Sequence, residues 1–236
     1  MEDPDVLMPA SFPATEFAAF GAAAEPFFPH VMSSEAKFDP LEKRRQFDWS
    51  WQAVRYRYRT CAECADELKQ LEPGPAGLGY EEWMYKLDRC IYLFFTSALS
   101  VFDSFAFCLY FLGNAIDQAA FVEVNNPRRI TRRTTSTAFT TTFPQATITG
   151  FLANLSTDPA FDTIDDVRNR VGHRLSGRRS IYGSSTTWHL PGSKSKLTFD
   201  AELLQRHLED IRGLLIVLAC AAREFAASQK PAATQR

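Results

Sequence analysis

Aliphatic side chains recur at Ile164, Val167, Val171 and Leu175. Spacings of three and four residues place all four on one stripe of an α-helix. Asp158-Pro159 supplies a capping carboxylate followed by proline at the first helical position, so the pattern predicts a helix over about 159–175. Pro40 to Glu72 reads as a first long helix, stopped by Pro73-Gly74-Pro75. Tyr80 to Ala115 reads as a second, apolar nearly all round from Cys90 through Leu112. Asp200-Ala201-Glu202 caps a last helix that ends by Ala227, with Leu203, Leu204, Leu208, Ile211, Leu215, Leu218 and Phe225 as its core positions. Four principal helices with these connections predict an all-α, up-down four-helix bundle with extra short helices.

Other stretches break the helical pattern. Residues 1–39 are expected to form an extended arm rich in Pro and Phe, because five prolines between Pro4 and Pro29 interrupt any long helix. Phe12, Phe17, Phe20, Phe27 and Phe28 would hold this arm against the body or a partner. The helical domain is expected over 40–228, with a polar tail at 229–236. Asn125 to Gly150, basic and rich in threonine, reads as a long loop that holds at most a short helix. Before the last helix, turn signals at Gly183-Ser184-Ser185 and Pro191-Gly192-Ser193 flank Thr186–Leu190 and predict a small hairpin or Ω-like loop. Tyr182 and Trp188 there are candidates for stacking on bases.

The apolar helix at 80–115 raises a membrane span, but Asp103 lies in its middle, and a carboxylate at bilayer centre costs about 2.5–3.5 kcal/mol. A buried bundle helix and no membrane are expected. Composition agrees: 45% hydrophobic residues and 20 phenylalanines suit a bulky globular core. A net charge of −2 excludes a wholly basic nucleic-acid binder, so any such function rests on a local patch. Five cysteines and an acidic start without a basic n-region fit a reducing cytoplasm. Cys61-Ala-Glu-Cys64 has no second pair, reads as a helix-surface coincidence, and leaves no metal or cofactor expected. His30, His189 and His207 are solitary and read as structural or exposed. Arg55, Arg57 and Arg59 alternate with Tyr56 and Tyr58, a mix able to grip nucleic acid, although a helix surface with half-buried tyrosines is the preferred reading.

The basic patch follows from local runs of charge. Arg128, Arg129, Arg132 and Arg133 lie in a stretch without acids from Glu123 to Asp158. From Val167 to Phe199 there are seven basic residues and no acid, among them Arg168, Arg170, Arg174, Arg178 and Arg179. These arginines are the candidate RNA contacts. Within the second run, Arg168, Asn169 and His173 combine a phosphate clamp, an orienting amide and a group that exchanges protons near neutral pH. At about 100° per residue, Arg168 and His173 stand about 140° apart on one straight helix. They converge only if the helix breaks near Gly172 or a second copy of the chain completes the site.

Arg168-Asn169-x-x-x-His173 resembles the R-N-x-x-x-H motif of the HEPN superfamily, α-helical domains that include metal-independent ribonucleases of toxins, antiphage systems and RNA surveillance. Phe102-Asp103-Ser104-Phe105-Ala106, with Asn114 further on, is similar to an earlier helix of such proteins. The resemblance covers about residues 80–225. It implies a homodimeric endoribonuclease acting on single-stranded RNA, with His173 in proton transfer, Arg168 on the phosphate and Asn169 in support. Asp103 would then support the site as a buried carboxylate paired with an arginine such as Arg168 or with a backbone amide. The alternative is a non-catalytic module of this kind that binds RNA or nucleotide or dimerises. An antitoxin or other protein regulator is a further partner that the resemblance leaves open.

Overall fold

The computed structural model describes residues 8–28, 39–173, 178–182, 185–189 and 197–229; the side chains of 39–41, 172–173 and the strand residues before Phe199 lie outside that description. The fold is all-α with one small sheet. Seven α-helices occur among the described residues: α1 (Ala14–Ala24), α2 (Asp39–Leu71), α3 (Tyr80–Ile116), α4 (Arg132–Thr142), α5 (Thr147–Asn154), α6 (Pro159–His173) and α7 (Ala201–Ser228). The strands β1 (Arg178–Tyr182), β2 (Ser185–His189) and β3 (Leu197–Phe199) form an antiparallel sheet in the order β1-β2-β3. β1 and β2 make the expected hairpin, in register from Arg178 opposite His189 to Tyr182 opposite Ser185. β3 is an addition to it.

Two sequence expectations require correction. The arm is not extended throughout, because Pro13 and Pro26 bracket α1 rather than interrupt it, and Phe17, Phe20 and Ala24 fall on one buried stripe. Likewise 125–150 is mostly helical. Thr131 caps α4 through a reciprocal pair of hydrogen bonds with Thr134, while Thr135 and Phe139 bury the same face. The polarity of this stretch and its Pro127 and Pro144 argue for a loop, but one cap and one buried stripe suffice to form the helix between those prolines.

The chain clusters into two compact units whose boundaries cut across α2, α3 and α7. The first comprises residues 1–12, 56–100 and 158–212. In it the buried Tyr58 hydroxyl donates to the Ser11 carbonyl at 3.1 Å, and Trp83 Nε1 donates to the Leu71 carbonyl at 2.8 Å, joining the end of α2 to the start of α3. Phe95 of α3 meets Phe199 of β3 and His207 of α7, with ring centroids at 5.8 and 5.5 Å. Ile164, Val167 and Val171 bury the inner stripe of α6 as the sequence predicts. Leu175 lies outside the described residues.

The second unit comprises residues 13–55, 101–157 and 213–236. Phe17 and Phe20 of α1 pack on Trp51 of α2 at 4.7 and 5.5 Å, and each stands 5.9 Å from Phe105 of α3. A second cluster centres on the buried Phe121. Its ring lies 5.1 Å from Tyr110 and 5.3 Å from Phe139, which in turn meets Phe225 of α7 at 5.2 Å. Among the described helices, α3 is long and apolar enough to cross a membrane by length and composition, and 61% of its most apolar window is buried inside the protein.

Candidate functional site

The motif sits on a regular helix. Asp158 caps α6 by accepting from the amides of Ala160 and Phe161 at 2.9 and 3.2 Å, and Pro159 occupies the first position. The helix continues through Gly172 to His173, so no break precedes the histidine. With its aliphatic stripe buried, α6 turns Asn169 to solvent and leaves Arg168 half-exposed. The Arg168 guanidinium donates to Asn169 Oδ1 at 3.0 Å, and Asn169 Nδ2 donates to Asp165 Oδ2 at 3.3 Å. This chain of bonds orients the amide and keeps the guanidinium beside it. The His173 side chain and Arg174 lie outside the described residues, as do the side chains of Arg178 and Arg179, although these two begin β1.

Local pairing reduces the basic run on α6. Arg170 contacts both carboxylate oxygens of Asp166 one turn earlier, at 2.8 and 2.7 Å, so its charge is largely committed to its own helix. Asp103 also departs from expectation. It is not buried: Val101, Phe102, Ser104 and Phe105 take the inner positions of α3 and turn the Asp103 side chain outward, 49% exposed. Its arginine partner is Arg132 of α4, at 2.7 Å, rather than Arg168. Asp103 therefore belongs with the 128–133 arginines of the second unit, and Arg168 and Asn169 with the first.

In that second group Arg129 reaches Glu123 at 3.8 Å, a long ion pair, and Arg128 and Arg133 are exposed. A cavity of about 290 Å³ lies beside them. Glu42, Lys43 and Gln46 of α2 form one wall, and Val124, Asn125 and Pro127 face them. No motif marked these residues, because they come from distant stretches; the one local sign was the Asn125-Asn126-Pro127 turn that leads into the arginines.

The other candidates are structural. Tyr58 is buried and Tyr56 is 69% exposed, so the alternation of Arg and Tyr winds around α2 instead of lining one face. Cys61 and Cys64 are buried rather than on the helix surface, and Cys61 Sγ donates to the Phe94 carbonyl at 3.5 Å. Burial pushes the Cys61 thiol well up, and the Cys64 and Cys90 thiols to about 12. Such thiols are poor nucleophiles. Burial also lowers the His207 pKa, and the Asp210 carboxylate 3.5 Å from Nδ1 only partly offsets this and leaves that buried nitrogen without a hydrogen bond.

No family model, curated protein or solved structure matches the chain. Among the described residues no group of His, Cys, Asp and Glu is placed to hold a metal ion. What α6 offers is a guanidinium with an oriented amide on its outward side, and a histidine at its last helical position.

Proposed function

We propose that the protein is a metal-independent endoribonuclease that cuts single-stranded RNA at an Arg/His site shared between two copies of the chain. The observation that carries this reading is the unbroken course of α6 through His173. Five helical steps from Arg168 to His173 turn through a net angle of about 140°, so α6 sets the two positions on different faces of one protomer. Opposing two such helices about a two-fold axis would bring Arg168 of each copy toward His173 of the other. The sequence resemblance to HEPN ribonucleases supports the same arrangement.

The chemistry follows from the groups. A neutral imidazole takes the proton of the RNA 2′-hydroxyl, the 2′-oxygen attacks phosphorus, and the bond to the 5′-oxygen breaks as the imidazolium gives that oxygen its proton, leaving a 2′,3′-cyclic phosphate. Arg168 holds the charge that builds on the phosphoryl oxygens, as a permanent cation with two parallel donors can. Asn169, held by Asp165, keeps the guanidinium aligned. The test is incubation of purified protein with single-stranded RNA in EDTA, beside His173→Ala and Arg168→Ala. Cleavage that persists in EDTA, yields cyclic phosphate ends and disappears in both variants is the expected result; cleavage that survives His173→Ala overturns it.

A second reading, an RNA-binding module that does not cut, is favoured by the exposure of Arg128 and Arg133. It predicts RNA bound without cleavage by the wild type and by His173→Ala alike. Affinity would then fall when Arg128 and Arg133 are replaced together, with a shallower dependence on salt.

A further inference from the structure

We infer that the cavity between α2 and the 122–129 segment is a subsite for one unstacked base of a bound RNA strand. The inference rests on the RNA reading above and adds to it a place where the strand is read rather than gripped. Three observations converge. First, the cavity and the exposed arginines share one segment of chain: Val124, Asn125 and Pro127 line it, and Arg128 and Arg129 follow directly. A strand whose phosphates lie along these arginines passes the mouth of the cavity.

Second, the lining suits a base. Phe111, itself 2% exposed, contributes to the floor, Val124 and Pro127 supply apolar wall, and Gln46 and Asn125 bring side-chain amides. Apolar walls with a few placed polar groups describe how small planar ligands are held, and amides pair with the donor and acceptor edges of bases. Gln46 is already oriented, because its Nε2 donates to Glu42 Oε1 at 2.7 Å. That bond leaves the amide oxygen and one N–H of Gln46 for a ligand. At about 290 Å³ the cavity is near the lower end of the range for ligand pockets, which suits one base rather than a larger cofactor.

Third, the wall is held in place. The Glu123 amide donates to the Tyr110 hydroxyl at 3.1 Å, and Asn114 Nδ2 donates to the Phe121 carbonyl at 2.8 Å, both on the turn leading into Val124. A site formed in advance loses little entropy on binding.

The experiment uses full-length His173→Ala protein, so that RNA is bound without being cut, and fluorescein-labelled single-stranded hexanucleotides read by polarisation. One oligonucleotide set carries all its bases and the other is abasic at successive positions. Val124→Trp fills the cavity, and Asn125→Ala, at an exposed position where misfolding is not an issue, removes one amide. Both variants should weaken the intact strand about tenfold, the range of one lost base contact, and leave the abasic strand that lacks the seated base unchanged. Equal affinity of wild type and both variants for the intact strand, with Arg128→Ala/Arg133→Ala weakened, overturns the subsite while the RNA reading stands. Failure of every strand to bind overturns both. Saturation by adenosine or cytidine monophosphate without competition against the strand would assign the cavity to a free nucleotide and overturn the proposal.

Discussion

A methyl group added at Gly113 tests the second unit's aromatic core. A Cβ there would stand 2.4, 2.5 and 2.8 Å from the Cε1, Cζ and Cδ1 atoms of Phe121. Carbon atoms rest at about 3.5–4.0 Å, so ring or helix must withdraw by about 1 Å. The ring has little room to do so. It is fully buried, Tyr110 and Phe139 close on it at 5.1 and 5.3 Å, and its own carbonyl is held by Asn114. Overpacking of this kind costs about 1–3 kcal/mol or somewhat more, whereas replacing a helical glycine by alanine returns at most about 1 kcal/mol. Gly113→Ala should therefore lose about 1–2 kcal/mol, a fall in Tm of roughly 2–8 °C for a chain of this size. Gly213→Ala on α7 is the matched control, because its Cβ meets nothing within 4 Å and only the helical gain of up to about 1 kcal/mol remains. Urea unfolding of both variants, with unchanged m-values, reads the two signs. In a Phe121→Leu background the penalty at Gly113 should shrink or reverse. A Gly113→Ala protein as stable as the wild type would refute the seating of Phe121 against α3.

Three further outcomes follow from particular contacts. Thr131→Ala removes the capping box of α4 and should cost about 1 kcal/mol in urea unfolding, whereas Thr137→Ala, exposed on the same helix, should cost much less. His207 sets a pH dependence: burial lowers its folded pKa, so below the ordinary value of about 6.5 the unfolded chain binds a proton that the folded chain does not. Stability should then rise with pH between the lowered value and about 6.5 and level off above it, a slope that His207→Leu should remove in thermal melts taken across that window. Asp103→Asn should cost no more than about 1 kcal/mol and less in high salt, since the Arg132 pair is half in solvent; a loss of several kcal/mol would mean that the carboxylate is buried after all.

Helices were legible where one stripe decided them. Ile164, Val167 and Val171 announce α6, and the Asp158-Pro159 start matches its cap, because period and capping are local properties. The 14–24 helix and the helical extent of 125–150 were not legible for a shared reason: composition does not tell position. Prolines that bracket a helix look, in a count, the same as prolines that break one, and threonine's weak helical preference says nothing about a cap or a buried Thr135. For Asp103 the average that conceals position is hydropathy. A window that is apolar overall still has an outer face, and one carboxylate there needs only the surface partner that Arg132 provides. The cavity was not legible at all, since it exists only once α2, Phe111 and the turn before the arginines are brought together by folding.

The same distinction between composition and position decides what the arginines can do. A run of basic residues free of acids in sequence is not a positive surface until the partners that folding supplies are subtracted. Asp166 takes Arg170 from one turn away, Asp103 takes Arg132 across two helices, and Glu123 reaches weakly toward Arg129. Arg168 is different, because its contact is the neutral amide of Asn169, which orients the guanidinium without cancelling its charge. A carboxylate partner in that place would have to be displaced before a phosphate could bind, at a cost to affinity, whereas an amide leaves the cation's attraction for phosphate intact. Position 169 therefore suits an amide rather than an acid, and Asn169→Asp, nearly the same in shape, should weaken RNA binding by adding a charge beside Arg168 where Asn169→Ala only loosens it.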